Sequence, residues 1–398
     1  MPRPADEPQR TPEPGRLVRC LPEWRPGSGP GRKHLLGILP GEGVGPEVIA
    51  ASLRILRAIE SCTPERFVLR QGGAIGAEAE RSSGTALTPE VSAFCEEIFA
   101  EAGAILCGPG GGRFVYDLRA RLDLYCKFVP LIPLPALRGT GVLRPEAVRD
   151  VDILVVRENR GGIYQGDAGL EVREGIARAS HTFHYDETQV VRILRVAVAA
   201  AAARRGRLCV VTKPSGVPSI STLWRTQAEQ FTAGTGVELR LLEVDNAAYQ
   251  LVADAHSFDV VLAPNMFGDV LADGASVLLG SRGMSYSANF TATGRGVYQT
   301  GHGAAHDLAG TDRANPLGQI QSLAMLLHES FGLGWLAAQV MEAVNDTLAA
   351  GWRTPDILAT GSRPAGTCEL AERIAGNLVA RLESSQEEAW PASAGAGG

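Results

Sequence analysis

The chain has 398 residues, 45% of them hydrophobic and 21% charged, with a formal net charge of −6. Such a chain can bury a sizeable core, in two domains or one large unit, and its acidic balance without a basic block argues against a nucleic-acid partner. Seven cysteines with no CxxC pair point to reduced thiols in a cytoplasmic protein, not to a disulfide framework or a zinc site.

In chain order, residues 1–32 are rich in Pro, Arg and Gly and lack the apolar stretch of a secretory signal, so a disordered extension is expected. HLLGILPGEGVGPEVIAASLRILRAIE then reads as a strand, a Gly/Pro turn and an amphipathic helix from about Pro46. Its GEGVGPE turn is not G-x-G-x-x-G. It is either a plain tight turn or a close approach of backbone to a cofactor. Apolar strand runs and helical runs alternate from residue 67 to 263, which predicts an α/β protein with a largely parallel sheet. No run is long and apolar enough for a membrane helix.

Within that alternation, RARLDLY carries Arg119 and Arg121 beside an apolar strand pattern, and VVRENRGGIY carries Arg157 at a strand end. Such arginines are either surface residues or bidentate carboxylate binders. GGIYQGDAGLEVREGIARASHTFHYD alternates like a hairpin without crossover helices, so it reads as a projecting β-arm. VVTKPSG ends a strand on Lys213, which is either solvated or a base of lowered pKa. VDNAAYQLV and NMFGDVLADGAS bring Asp245, Asp269 and Asp273, the last two one helical turn apart. Two carboxylates there repel unless a cation sits between them, and Mg²⁺ or Mn²⁺ suits oxygen ligands. A solvated acidic helix face is the alternative. GHGAAHDLAGTDRANP is a small-residue loop bearing His302, Asp307 and Asn315, suited to a flat ligand and a ribose diol. Residues from about 315 to 348 read as mostly helix. Residues 385–398 read as a disordered tail.

Together and in this order, VDNAAYQLV, NMFGDVLADGAS and HG-(x)₃-D-x-AG-(x)₄-NP resemble the β-decarboxylating dehydrogenases, the isocitrate/3-isopropylmalate dehydrogenase family, over about residues 34–382. The resemblance implies an α/β, isopropylmalate dehydrogenase-like two-domain fold with parallel or mixed sheets and a β-arm, not a common Rossmann fold. Its dinucleotide domain would be 33–124 with 280–384, and its substrate and dimer domain 125–279. It implies that a 2-hydroxy acid bearing a 3-carboxylate is oxidised by NAD and then loses that carboxylate as CO₂. Asp245, Asp269 and Asp273 match the Mg²⁺ or Mn²⁺ ligands, Lys213 the base and Tyr164 the acid. Asp245 and Lys213 would come from the partner of a homodimer. Arg119 and Arg157 match two substrate arginines. His302, Gly303, Ala304, Ala305 and Asn315 would hold adenine, and Asp307 would favour NAD over NADP.

The chain departs from the pattern on the substrate side. Val129 stands where a third arginine is usual, and Lys127, two residues earlier, could substitute as a point charge. Ser215 replaces an asparagine, Gln299 a glutamate, and Glu42 an aspartate. In the specificity segment, Arg113 stands where isocitrate enzymes place a serine, and Val115 and Tyr116 where isopropylmalate enzymes place leucines. Arg113, reinforced by Arg160, suggests an anionic substituent, as in isocitrate, homoisocitrate or a phosphonomethylmalate. The alternatives are 3-isopropylmalate, tartrate or D-malate dehydrogenase, or a non-catalytic regulatory homologue.

Overall fold

The computed structural model describes residues 15–25 and 32–389. Apart from a short two-residue pair, Trp352–Arg353 and Arg363–Pro364, its strands are β1 (Lys33–Leu39), β2 (Arg66–Gln71), β3 (Ala104–Cys107), β4 (Cys126–Leu131), β5 (Ile153–Glu158), β6 (Asp167–Arg173), β7 (Ile176–Thr182), β8 (Arg207–Thr212), β9 (Glu238–Glu243), β10 (Val260–Ala263), β11 (Tyr286–Phe290) and β12 (Gly296–Thr300). Ten of them form one sheet in the order β2-β1-β3-β12-β11-β4-β5-β10-β8-β9. The pairings within β2-β1-β3-β12 and within β5-β10-β8-β9 are parallel. The three central pairings, through β11 and β4, are antiparallel. Two parallel blocks running in opposite senses therefore meet in the middle. β6 and β7 pair only with each other and are exposed along their whole length, as expected of a projecting arm.

Strands β3, β4, β5 and β10 are buried at every position; β3 and β10 read as continuous apolar runs, whereas β4 and β5 also bury Lys127, Arg157 and Glu158. The edge strand β2 alternates poorly and is mostly exposed, and it carries two arginines, Arg66 and Arg70, charges of the kind that discourage further pairing. The first long helix, Gly45–Cys62, starts with Pro46 in its first turn and buries Val48, Ile49, Ile55, Leu56 and Ile59 on one stripe. The helix Glu187–Ala202 opens with a capping box between Asp186 and Gln189.

Three expectations are corrected. The supposedly disordered extension contains an ordered strap over residues 15–25. Val18 and Leu21 are buried, the Val18 N–H donates to Glu329 at 3.0 Å, and the Glu23 N–H to the Ala292 carbonyl at 3.2 Å. Residues 1–14 and 26–31 lie outside the described residues. At the other end, the helix Thr367–Ala389 runs past residue 385, and residues 390–398 lie outside the described residues. Arg119 and Arg121 lie in the last turn of a helix, Phe114–Arg121, not beside a strand. No helix among the described residues is long and apolar enough to cross a membrane.

Candidate active site

Asp269 and Asp273 lie one turn apart on the helix Asn265–Ala275, which follows β10. Asp269 is ion-paired with Arg157 and accepts a 3.0 Å hydrogen bond from the Tyr164 hydroxyl. Asp273 is paired with Arg282 at 2.6 Å. Arg157 is the penultimate residue of β5, Lys127 stands directly opposite it on β4, and Arg119 comes from the neighbouring helix Phe114–Arg121. Exposure is only 1% for Arg157, 4% for Arg119 and 8% for Lys127, so three cations are buried around one carboxylate pair. Val129, by contrast, is part of the apolar core.

The electrostatics follow from that crowding. Burial, then the Arg157 charge, pushes Arg119 down to about 9. Burial, then Arg119 and Arg157, pushes Lys127 down to about 7. Burial alone would raise Asp269, but Arg157 and Lys127 hold it below the usual carboxylate range. Asp273 is raised, chiefly by burial, against the opposing pull of Arg282. Burial, with the Asp269 charge, pushes Tyr164 up to about 12, so it keeps its proton at neutral pH. The Arg119 Nε is buried without a hydrogen-bond partner, and Lys127 makes no hydrogen bond or ion pair among the described residues. An orphaned buried donor is costly in water's absence, and an anionic ligand would satisfy it.

A network not foreseen from the sequence fixes Arg157. Its Nε and Nη2 donate to Asn265 Oδ1 at 3.1 and 2.8 Å. Asn265 Nδ2 donates to the Gly161 carbonyl at 2.8 Å, and its N–H to the Tyr185 hydroxyl oxygen at 2.9 Å. Gly268 has no room for a Cβ because the Arg157 stem crosses it at 2.9 Å. Asn265 and Gly268 both sit inside NMFGD, where the two acids drew attention and their neighbours did not.

Arg113 occupies the N-cap position of Phe114–Arg121 and is more than half exposed. It donates to the Tyr164 carbonyl at 3.3 Å and to Asp117 at 3.4 Å. The Tyr116 and Tyr164 rings lie 4.9 Å apart, with Arg113 and Arg119 over the Tyr116 ring. Val115 is half-buried against the apolar cluster that includes Phe114 and Leu118. Arg160 does not reinforce Arg113: it pairs with Asp123 at 3.2 Å, alongside Arg192.

Lys213 and Asp245 form a separate cluster. The Lys213 ammonium is 2.7 Å from Glu243 and 2.9 Å from Asp245, and Ser215 donates to Glu243. Those two hydrogen bonds raise the Lys213 pKa, the reverse of the lowering expected of a base. Among the described residues no three acid, His or Cys side chains are grouped to hold a metal. One chain therefore supplies a two-carboxylate platform, which suits a hard cation that takes its other ligands from elsewhere.

Beyond Asp273 lies a cleft of about 590 Å³ that includes His302, Gly303, Ala305 and Asn315 in its lining. The Gly-rich turn closes on this loop: the Val44 N–H donates to the Ala304 carbonyl at 2.8 Å, and a Cβ on Gly43 would lie 2.0 Å from that oxygen. Gly43 has φ +60°, so a side chain there is excluded twice over. Glu42 is buried and binds the Gly111 N–H, and accepts from the Glu78 N–H at 3.2 Å, tying the turn to the neighbouring loop. Asn315 donates to Asp356 at 2.9 Å, and Ser281 to the same carboxylate oxygen at 2.5 Å. Asp356 lies far along the chain in an unremarkable turn, so nothing in the sequence flagged it. Burial lowers His302. Asp307 is exposed, between the lining residues Ala305 and Leu308. Gly283, Gly303 and Ala305 bring backbone to the wall of this cleft, between the side chains of His302, Arg313 and Asn315.

Comparison with known proteins gives a consistent result. Residues 35–374 match the family described as isocitrate/isopropylmalate dehydrogenase. The 3-isopropylmalate dehydrogenase of Nitrosomonas europaea is 38% identical over 365 residues, 87% of this chain and 99% of that protein. That of Geobacillus kaustophilus is 37% identical over 356 residues, 86% of this chain and 94% of the relative. Among solved structures, isocitrate dehydrogenase from Methylococcus capsulatus superposes with a TM-score of 0.76 at 28% identity, covering 87% of this chain and 99% of that one. The TT0538 protein from Thermus thermophilus gives 0.74 at 28% identity, covering 86% and 68%.

Proposed function

The chain belongs to the isocitrate/isopropylmalate dehydrogenase family and is an NAD-dependent decarboxylating dehydrogenase, and from that premise we propose that it oxidises a 3-substituted malate at C2 and releases the 3-carboxylate as CO₂. The observation that carries this reading is the buried set Arg119, Lys127 and Arg157 beside Asp269 and Tyr164, with the Arg119 Nε unpartnered. Three cations at one carboxylate pair suit a substrate with two or more carboxylates. Bound Mg²⁺ or Mn²⁺ would polarise the hydroxyl and stabilise developing negative charge, and bound NAD would accept the hydride. Asp269 and Asp273 would hold the cation. Arg119 and Arg157 would fix the malate carboxylates, with Lys127 as the point charge replacing the arginine absent at Val129. Tyr164, which holds its proton well above neutral pH, would protonate the enol carbon.

Lys213 and Asp245 would enter this site from a second copy of the chain. Support comes from their separation from the Asp269 cluster and from exposed apolar residues nearby: Tyr249, Val270 and, on the arm, Leu170, Val172 and Ile176. Bringing Lys213 towards Arg119, Lys127 and Arg157 would lower its pKa by like-charge repulsion, in the direction a base requires. NAD is the favoured dinucleotide because Asp307, exposed at the cleft, would repel a 2′-phosphate.

Two readings of the substituent stand. The relatives' names support 3-isopropylmalate. The position of Arg113 over Tyr116 and against Tyr164 favours an anionic tail. A turnover panel with NAD⁺ and Mn²⁺ separates them, using 3-isopropylmalate, isocitrate, homoisocitrate, tartrate, D-malate and phosphonomethylmalate. Preference for 3-isopropylmalate eliminates the anionic tail. If an anionic substrate wins, Arg113→Leu should cut its kcat/KM and favour alkyl tails. A chain that binds neither Mn²⁺ nor NAD⁺ would be a non-catalytic homologue, and faster turnover with NADP⁺ would contradict the role given to Asp307.

A further inference from the structure

The two ends of the cofactor cleft are joined by three consecutive residues. Ser281 donates to Asp356, which also binds Asn315 at the adenine end. Gly283 packs against the same pair, where a Cβ would lie 2.8 Å from Asn315 Cβ and from Asp356 Oδ2. Between them, Arg282 reaches the other way and pairs with Asp273, one of the two acids at the reacting end. Arg282 is also in the lining of the cleft, close enough to His302 to contribute to lowering its pKa.

A dinucleotide with adenine at Asn315 and its nicotinamide near Asp269 and Asp273 must carry its diphosphate over this turn. The diphosphate bears about two negative charges and needs cationic or N–H donors. The Gly-rich turn, residues 41–45, offers no cation. Arg313 is also in the lining but flanks the adenine end, adjacent to Ala314 and Asn315. Arg282 is the cation placed between the two ends. Its side chain is 60% exposed, so a ligand can reach it. A guanidinium has five donors, so one bond to Asp273 leaves others for phosphate oxygens.

We propose that Arg282 binds the diphosphate of the dinucleotide while remaining paired with Asp273, so that one side chain ties the cofactor to the acidic pair. This rests on the dinucleotide reading given above. The test measures binding, by calorimetry for NAD⁺ and ADP-ribose and by ligand-observed NMR for adenosine, in wild type, Arg282→Leu, Arg282→Lys and Arg313→Leu. Loss of a charge-assisted contact should weaken NAD⁺ and ADP-ribose by roughly 10- to 100-fold in Arg282→Leu. Adenosine, which lacks phosphate, should bind unchanged, and Arg282→Lys should recover part of the loss. Unchanged ADP-ribose affinity in Arg282→Leu overturns the proposal. So does an equal loss of adenosine, which would mean that the turn had lost its shape, or a loss confined to Arg313→Leu. Failure of the wild type to bind NAD⁺ or ADP-ribose would instead remove the dinucleotide reading, and this assignment with it.

Discussion

A buried cation without a partner is expensive, and this site holds more positive than negative charge within its walls. Arg119, Lys127 and Arg157 face Asp269 and Asp273, and one of those acids already has Arg282. The surplus is intelligible as a socket for a polyanion. Replacing Lys127 by Met should raise KM roughly 10- to 100-fold, the value of one charge-assisted contact, with a smaller effect on kcat. An unchanged KM would mean that the malate carboxylate needs no third cation. Asn265→Ala removes the acceptor of two Arg157 bonds and should also act mainly on KM, by about tenfold or more, with far-UV dichroism intact. A loss confined to kcat would show that Asn265 does not act through Arg157. Much of this cluster was legible in the sequence, because Asp269, Asp273, Arg157 and Tyr164 fall in short segments whose spacing or family resemblance singled them out. The supporting groups were not. Asn265 and Tyr185 act through hydrogen bonds between segments 80 residues apart, and no local pattern marks such a bond.

At the scale of elements, strands were the easiest to read. The β3, β8 and β10 runs, all inside the alternation expected from residue 67 to 263, are largely apolar because both faces of the sheet are covered. The helix Phe114–Arg121 was missed because its buried face mixes Phe114 and Leu118 with Arg119, which blurs the apolar stripe. The strap was missed because LVRCLPEW, with only two fully buried side chains, sits inside Pro- and Gly-rich flanks. It bridges Glu329, the Ala292–Gly294 turn and the helix Glu187–Ala202. Burial raises Glu329 from its ordinary 4.5 to about 7, against the opposing pull of the Val18 and Leu17 N–H groups. A carboxyl whose folded pKa is raised favours the folded state when protonated. Its contribution is full below pH 4.5 and is lost as pH rises through 7. Thermal unfolding of wild type and Glu329→Gln between pH 5 and 8 should therefore diverge. The wild type should lose on the order of 1–3 kcal/mol relative to the variant as pH rises. Parallel curves would show that Glu329 is not held up by the strap's burial.

The whole molecule is organised so that its chemistry falls where two oppositely running blocks of one sheet meet. Arg157 and Lys127 face each other across the antiparallel β4–β5 pair, and the acids follow β10 beside them. Lys213, just past the end of β8, and Asp245, in the helix that follows the edge strand β9, pair with each other, and Lys213 also binds Glu243. A single chain thus holds Tyr164 and the buried cations in one place and Lys213 in another. A second copy of the chain would close this gap. The most direct measurement mixes two inactive variants, Lys213→Ala and Tyr164→Phe, after reversible dissociation, and assays the substrate selected by the turnover panel. If Lys213 acts across the interface, each mixed dimer contains one site with both residues intact. Random reassociation should then restore roughly a quarter of wild-type activity. If Lys213 and Tyr164 serve the same site within one chain, every site in the mixture lacks one of them, and activity stays at the level of the separate variants.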